Sequence, residues 1–260
     1  MNRSELINQA ANIALKKKEL WILALIASAI TVVLSYIFVA ADFGMIIRAL
    51  LSLVVTAFIS AALIGMVNAV AEGQSPSLND GFQAGIRWFL PVLVIDLLLA
   101  IPMWIIGFLL TGSFFGAFAA QANQSGVGSV SGMMAGFGIG LLINFVVGIL
   151  LGAITIGAER SAVLENTGAI DAIKRGWTVF STHVVDYIVI GLMLFVVLLA
   201  IGILLGCAFS IIGLGGFSIG ARAGIIAVLI GIILSTILGA ILTVFVSTVW
   251  TLAYRKFQGR

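Results

Sequence analysis

The chain has 260 residues, of which 62% are hydrophobic and only 9% charged, with a formal net charge of +3 and a mean hydropathy of +1.27. Soluble domains carry about 25% charged residues, and a water-soluble fold of this length could not hide so much apolar surface, so the solvent is lipid. The composition also excludes a basic, aromatic-interleaved face for nucleic acid. One cysteine (Cys207) and one histidine (His183) exclude an intrachain disulfide and a Cys/His metal cluster.

The N-terminal apolar run follows Lys16, Lys17 and Lys18 and extends from Leu20 to Ala41. That is longer than the apolar core of a signal peptide, about 7–15 residues, and fits a retained first span. Runs with few or no charges, each near the roughly 20 residues needed to cross a bilayer, predict six spans at 20–41, 45–70, 88–111, 132–158, 183–210 and 223–253. Loops are expected at 111–131 and at the glycine-rich stretch 211–222. The final apolar run exceeds the hydrocarbon thickness and should tilt or protrude.

Six spans put both termini on one side, and the positive-inside rule chooses the side. With cytoplasmic termini, the inner face holds Arg3, Lys16, Lys17, Lys18, Arg87, Arg160, Lys174, Arg175, Arg255, Lys256 and Arg260, and the outer face holds Arg48 and Arg222. The sequence therefore predicts a multi-pass protein of the cell membrane with the lipid bilayer as its first partner. Lipids or another membrane protein are further candidates, and no cofactor is indicated. Asn123-Gln124-Ser125 is a formal glycosylation sequon on the expected outer side.

An internal repeat organises the chain. Asp80, Phe82, Gly85 and Phe89 correspond to Asp171, Ile173, Gly176 and Phe180 at an offset of 91, and Asp96 corresponds to Asp186 after a one-residue slip. Each block opens on an amphipathic stretch: Leu78, Phe82, Ile86 and Phe89 in one, Ile170, Ile173, Trp177 and Phe180 in the other. Leu6, Ala10 and Ile13 repeat it weakly, and Ser77 with Asp80 suits a helix N-cap. The expected fold is an all-α integral membrane domain spanning 1–260. It is a six-span helical bundle of three units (about 1–70, 75–158 and 167–254), each an interfacial amphipathic helix followed by two spans.

Small residues recur at every fourth position in the last span: Ala223, Ala227, Gly231, Ser235, Gly239, Thr243 and Ser247. Close backbone approach along such a seam is what draws helices together in lipid, so this is the expected packing seam. Asn68 and Asn144 are expected to join helices, and Arg48 to reach for the outer interface.

Three residues are candidates for ion or proton handling: Asp96, Asp186 and His183. An ionisable residue within a span is a functional hypothesis by default, and His183 and Asp186 share a helix face at a spacing of three. If Asp96 and Asp186 converge on one cavity they form a working pair; the alternative is a structural or interfacial role for each. No catalytic constellation, nucleophile elbow or phosphate-binding Gly-Lys loop is present in the sequence.

The stretch "AVLENTGAIDAIKRGWTVFSTHVVDYIVIGLML" and the terminal "TLAYRKFQG" resemble the membrane domains related to that of glycerophosphoryl diester phosphodiesterases, in the Arg-Gly-Trp step (Arg175, Gly176, Trp177) and the spans around it. The resemblance implies a helical membrane domain. The activity of that family belongs to a separate soluble barrel of about 250 residues, for which these 260 residues leave no room, so it is not expected here. Mitochondrial carriers also contain three two-span units, but Pro76, Pro91 and Pro102 lack their Pro-x-Asp/Glu-x-x-Lys/Arg motif. The expected function is that of a non-enzymatic, lipid-associated membrane module, with a small transporter or channel as the alternative.

The charge bias yields a direct test. Single cysteines at positions 123 and 215, in a Cys207→Ser background, should react with an impermeant thiol reagent from the outside. Reaction from the cytoplasmic side alone would reverse the topology.

Overall fold

The computed structural model describes residues 3–40, 45–122 and 128–259. Among these every element is helical: α1 (Arg3–Lys16), α2 (Lys18–Ala40), α3 (Met45–Ala71), α4 (Leu78–Ala122), α5 (Gly128–Leu164), α6 (Ala169–Thr182), α7 (Val184–Ile219) and α8 (Ala221–Phe257). Five of them contain stretches long and apolar enough to cross a membrane: Ala49–Ala71, Leu78–Leu110, Gly138–Leu164, Val184–Ala208 and Arg222–Phe257. In lipid every backbone polar group needs an internal partner, which the helix supplies. The chain is a multi-pass membrane protein.

The helices overrun the expected spans. α4 is continuous for 45 residues across Pro91 and Pro102, so the amphipathic stretch at its start is not a separate helix. It corresponds in sequence to α6, which does stop, at His183. The 111–131 loop shrinks because α4 runs to Ala122 and α5 starts at Gly128; the 211–222 loop shrinks to Gly220. Gly220 itself sits at φ 148°, a conformation that favours glycine. The sequon at Asn123, the link at Asp42 and the side chain of Arg48 lie outside the described residues.

Helix ends on one side of the bundle are closed by local chemistry. Ser77 and Asp80 form the expected cap: the Ser77 backbone N–H donates to Asp80 Oδ2 at 2.7 Å, and the Asp80 N–H donates to Ser77 Oγ at 3.3 Å. After α3, Gly73 at φ 82° lets its own N–H reach Val70 O and that of Gln74 reach Ala69 O, a Schellman closure.

The same side carries the core. Leu6 and Ala10 of α1 pack with Val249, Trp250 and Ala253 of α8, alongside Tyr187 and Ile190 of α7. Leu20, Leu23 and Ala24 of α2 pack with Leu63 and Met66 of α3 and Val244 of α8. At the opposite side, Phe108, Leu109, Leu142, Phe145 and Leu204 are exposed to the surroundings, as lipid-facing side chains are.

The amphipathic segments have three faces, not two. In α6 the bundle-facing residues are Ala172, Gly176 and Val179, whereas Ile170 and Trp177 of the large apolar stripe are exposed. The start of α4 repeats this: Gly81 and Gly85 are buried while Phe82 and Ile86 are exposed. Small residues face the neighbouring helix because the helices approach closely. Each segment lies on the span that precedes it: the start of α4 on α3, where Ala84 meets Gly65, and α6 on α5, where Gly176 meets Gly157.

The α5–α6 crossing is the tightest. A Cβ on Gly176 would lie 2.6 Å from the Ile154 carbonyl oxygen and 2.7 Å from the Ala158 nitrogen, backbone atoms that cannot rotate away. By contrast, a Cβ on Gly239 meets nothing within 4 Å. Gly176→Ala should therefore destabilise the protein by about 1–3 kcal/mol, read as a lower melting temperature in detergent, and Gly239→Ala should not. Equal behaviour of the two variants would contradict the crossing.

Candidate functional site

The three candidate residues part company. Asp186, in the first turn of α7, accepts from Arg3 of α1, Nε at 3.0 Å and Nη2 at 2.8 Å, and is partly exposed. His183 closes α6: its backbone N–H donates to Val179 O and Phe180 O, and its ring stacks on Phe257 at 4.5 Å. Asp96 is buried in α4 and has Glu159 of α5 as its charged neighbour. The expected convergence of Asp96 and Asp186 is therefore replaced by two separate pairings. Pseudo-equivalent sequence positions face different neighbours because α4 is continuous through Asp96, whereas α7 begins beside Asp186.

Glu159 and Arg160 are the residues that sequence reasoning missed. The fourth span was expected to end at 158, with Arg160 in the inner-face count. Instead α5 continues to Leu164 and carries both inside. Side-chain exposure is 13% for Glu159 and 5% for Arg160. The signal was present in the small residues Gly157, Ala158, Ser161 and Ala162 around the pair, which let α4, α6 and α8 close over it. Removing Arg160 from the inner surface count leaves the charge bias intact.

Arg160 Nη1 donates to the Ile156 carbonyl at 3.0 Å and approaches Glu159 Oε2 at 3.5 Å. Its Nε is buried and has no partner among the described residues. Tyr187 of α7 and Tyr254 of α8 face the same guanidinium. Tyr254 also donates to Glu165 at 2.6 Å, and Glu165 pairs with Arg175 of α6 at 3.5 Å. A further interhelical link joins Arg255 of α8 to Glu72 at 3.1 Å and to Asn68 of α3. Asn68 thus joins helices, as its place in the span implied.

Glu159 and Arg160 form one end of a cavity of about 740 Å³ between α2, α3 and α8, closed further by α5 and α7. Ligand pockets generally measure about 300–1,000 Å³. Its walls mix apolar residues (Val55, Ile59, Leu242) with hydroxyls (Ser28, Thr56, Ser60, Ser247). Along α8 the lining runs from Ser235 to Trp250, about 22 Å at helical rise. The spacing-of-four seam meets it here: Ser235, Gly239, Thr243 and Ser247 line the cavity. The buried face of α8 is instead Ala240, Val244, Thr248 and Thr251. Small residues keep open space at these seam positions instead of drawing a helix in. Ala223, Ala227 and Gly231, further along the seam, are half-buried.

A family model described as a domain of unknown function (DUF7847) matches residues 7–257. The chain belongs to that family. The match takes in every span, the cavity and the Asp96–Glu159–Arg160 cluster, so the site lies within the DUF7847 domain and not in an appendage to it. No curated protein and no solved structure matches the chain.

The pairings differ in their environment, and this has a measurable consequence. Asp186→Asn breaks a part-exposed pair and should cost about 1 kcal/mol or less. Arg160→Gln strands Glu159 in a buried site and should cost about 3 kcal/mol or more. Chemical or thermal denaturation in detergent measures both, and a larger loss for Asp186→Asn would contradict the assignment.

Proposed function

We propose that this DUF7847 protein is a non-enzymatic multi-pass protein of the cell membrane, with both termini cytoplasmic, that holds an amphipathic small molecule in the α2–α3–α8 cavity. The single observation that carries this reading is the cavity itself: apolar walls and hydroxyls along its length, and a charged pair at one end only. Such a gradient matches a molecule with an apolar body and a polar head. The resemblance to the membrane domains of glycerophosphoryl diester phosphodiesterases belongs to the same reading, as a lipid-associated module.

Six spans in three units fit this reading, with α2, 23 residues long and apolar, as the sixth span. The support is the recurrent packing of α1 on α8, the start of α4 on α3, and α6 on α5. The three-faced segments α6 and the start of α4, with large apolar residues exposed beside polar ones, suit the interfacial zone of the membrane. The bias of basic residues supports its being the cytoplasmic one.

Passage of the ligand or of protons across the membrane is the second reading. It draws on the buried Asp96–Glu159 contact; Asp186, held by Arg3, no longer contributes to it.

The binding reading is tested by thermal shift in mild detergent with single-chain amphiphiles of charged and neutral head group. At least one should raise the melting temperature by about 2–4 °C, the change expected for roughly 1 kcal/mol in a chain of this size. Gly239→Leu, which projects a side chain into the cavity, should abolish that rise. An equal rise in both proteins would mean that the amphiphile binds elsewhere.

A further inference from the structure

We infer that the charged end of the cavity is a site for an oxyanion, a phosphate or carboxylate group, with Arg160 as its main anchor. The inference rests on the cavity-binding reading above and names the chemistry of the head group.

Arginine offers five N–H donors in a planar fork and has no acceptor. Arg160 lines the cavity and is 4% exposed, so water cannot serve those donors freely. Nη1 meets the Ile156 carbonyl at 3.0 Å and Glu159 at 3.5 Å. Nε is buried and has no partner among the described residues. A buried donor left unmade costs more than a satisfied one returns, and the cost is greater when the group is charged. Native structures seldom leave such a group without a reason, and an absent ligand is one of the few reasons available.

Glu159 is poorly placed to be that partner. It meets the guanidinium through one oxygen and one nitrogen at 3.5 Å, not through the two parallel bonds that give Arg–carboxylate pairs their strength. Its carboxyl also has the Asp96 carboxyl of α4 as a neighbour. The remaining titratable groups facing Arg160 are the phenols of Tyr187 and Tyr254, which can add hydrogen bonds but no lasting negative charge at neutral pH. An oxyanion entering from the cavity side would take the unused edge of the fork. The hydroxyls of Ser247 and Ser60 line the same cavity and can donate to further oxygens.

The carboxylate pair sets a second expectation. Glu159 competes with an incoming anion both for the guanidinium and by repulsion. Removing its charge should improve anion binding, a gain that a misfolded variant could not mimic.

The test uses the full chain in a neutral detergent, with Trp250 of the cavity wall contributing to the tryptophan fluorescence and isothermal titration calorimetry as the second measurement. The probes are dodecyl phosphate, dodecanol and inorganic phosphate. Dodecyl phosphate should bind at least tenfold more tightly than dodecanol. Arg160→Gln should erase that difference while dodecanol still binds, and Glu159→Gln should strengthen dodecyl phosphate binding about threefold or more. Inorganic phosphate binding that matches dodecyl phosphate would assign the site to a free anion; binding of the amphiphile alone would assign it to a lipid-like head group. Both outcomes uphold the oxyanion site. Equal affinity for dodecyl phosphate and dodecanol in the wild type, or weaker dodecyl phosphate binding by Glu159→Gln, would overturn the oxyanion site and leave the cavity reading standing. Failure of all three probes to bind would overturn both.

Discussion

Lipid gives helices no hydrophobic reason to associate, because a lipid tail is as apolar as a leucine side chain. Whatever holds this bundle must therefore come from close backbone approach and from polar groups that have nowhere else to go. Both are concentrated on one side. Gly176 lies against the α5 backbone at distances that exclude any larger residue. Around that crossing, Arg3 holds Asp186, Arg175 holds Glu165, and Arg255 holds Glu72, the first and last of these links joining segments distant in sequence. The aromatic stack of His183, Phe257, Tyr187 and Trp250 fills the space between α6, α7 and α8.

That concentration explains the cavity. Where α1, α6 and the start of α4 lie across the spans, the core is dense, with Leu6, Leu20, Met66 and Tyr254 at or below 2% exposure. Farther along, no crossing segment draws α2, α3 and α8 together, and small residues on α8 leave open space between them. Gly239 is the sharpest case, since it sits in a stripe that reads as a packing seam and yet borders a void. Polar residues in such a void are costly unless they bind water, each other or a ligand. The hydroxyls partly solve this by bonding to their own helix, as Thr243 does to Gly239 O and Thr236 to Ile232 O. Arg160 does the same through Nη1, to Ile156 O, but its buried Nε has no partner among the described residues.

Much of the architecture was legible in the sequence. The apolar runs gave the helices, and Ser77 with Asp80 marked a helix start that the structure caps as expected. Gly85 and Gly176, aligned at an offset of 91 residues, both occupy a bundle-facing position, which the apolar stripe beside them did not indicate. What hydropathy could not convey was tertiary. A charge is read as the end of a span, so Glu159 and Arg160 were assigned to the surface, although the small residues around them allow burial. Spacing of four indicates a common helix face but not what that face meets, so Ser235, Gly239, Thr243 and Ser247 looked the same whether packed or open. Asp96 and Asp186 occupy equivalent sequence positions, but a carboxylate's role is set by its nearest cation, and Arg3 is 183 residues away from Asp186 in the chain.

The central claim is that a cavity lined by hydroxyls as well as apolar side chains enters the apolar part of this DUF7847 protein between α2, α3 and α8. Cysteine modification in native membranes tests it most directly. In a Cys207→Ser background, single cysteines at Ser60 and Ser247, which line the cavity, are compared with single cysteines at Ala57 and Val244, which are fully buried on the same two helices. A small charged thiosulfonate reagent should modify positions 60 and 247 and spare 57 and 244. Equal inertness of all four, or reaction at 57 and 244 but not at 60 and 247, would contradict the account.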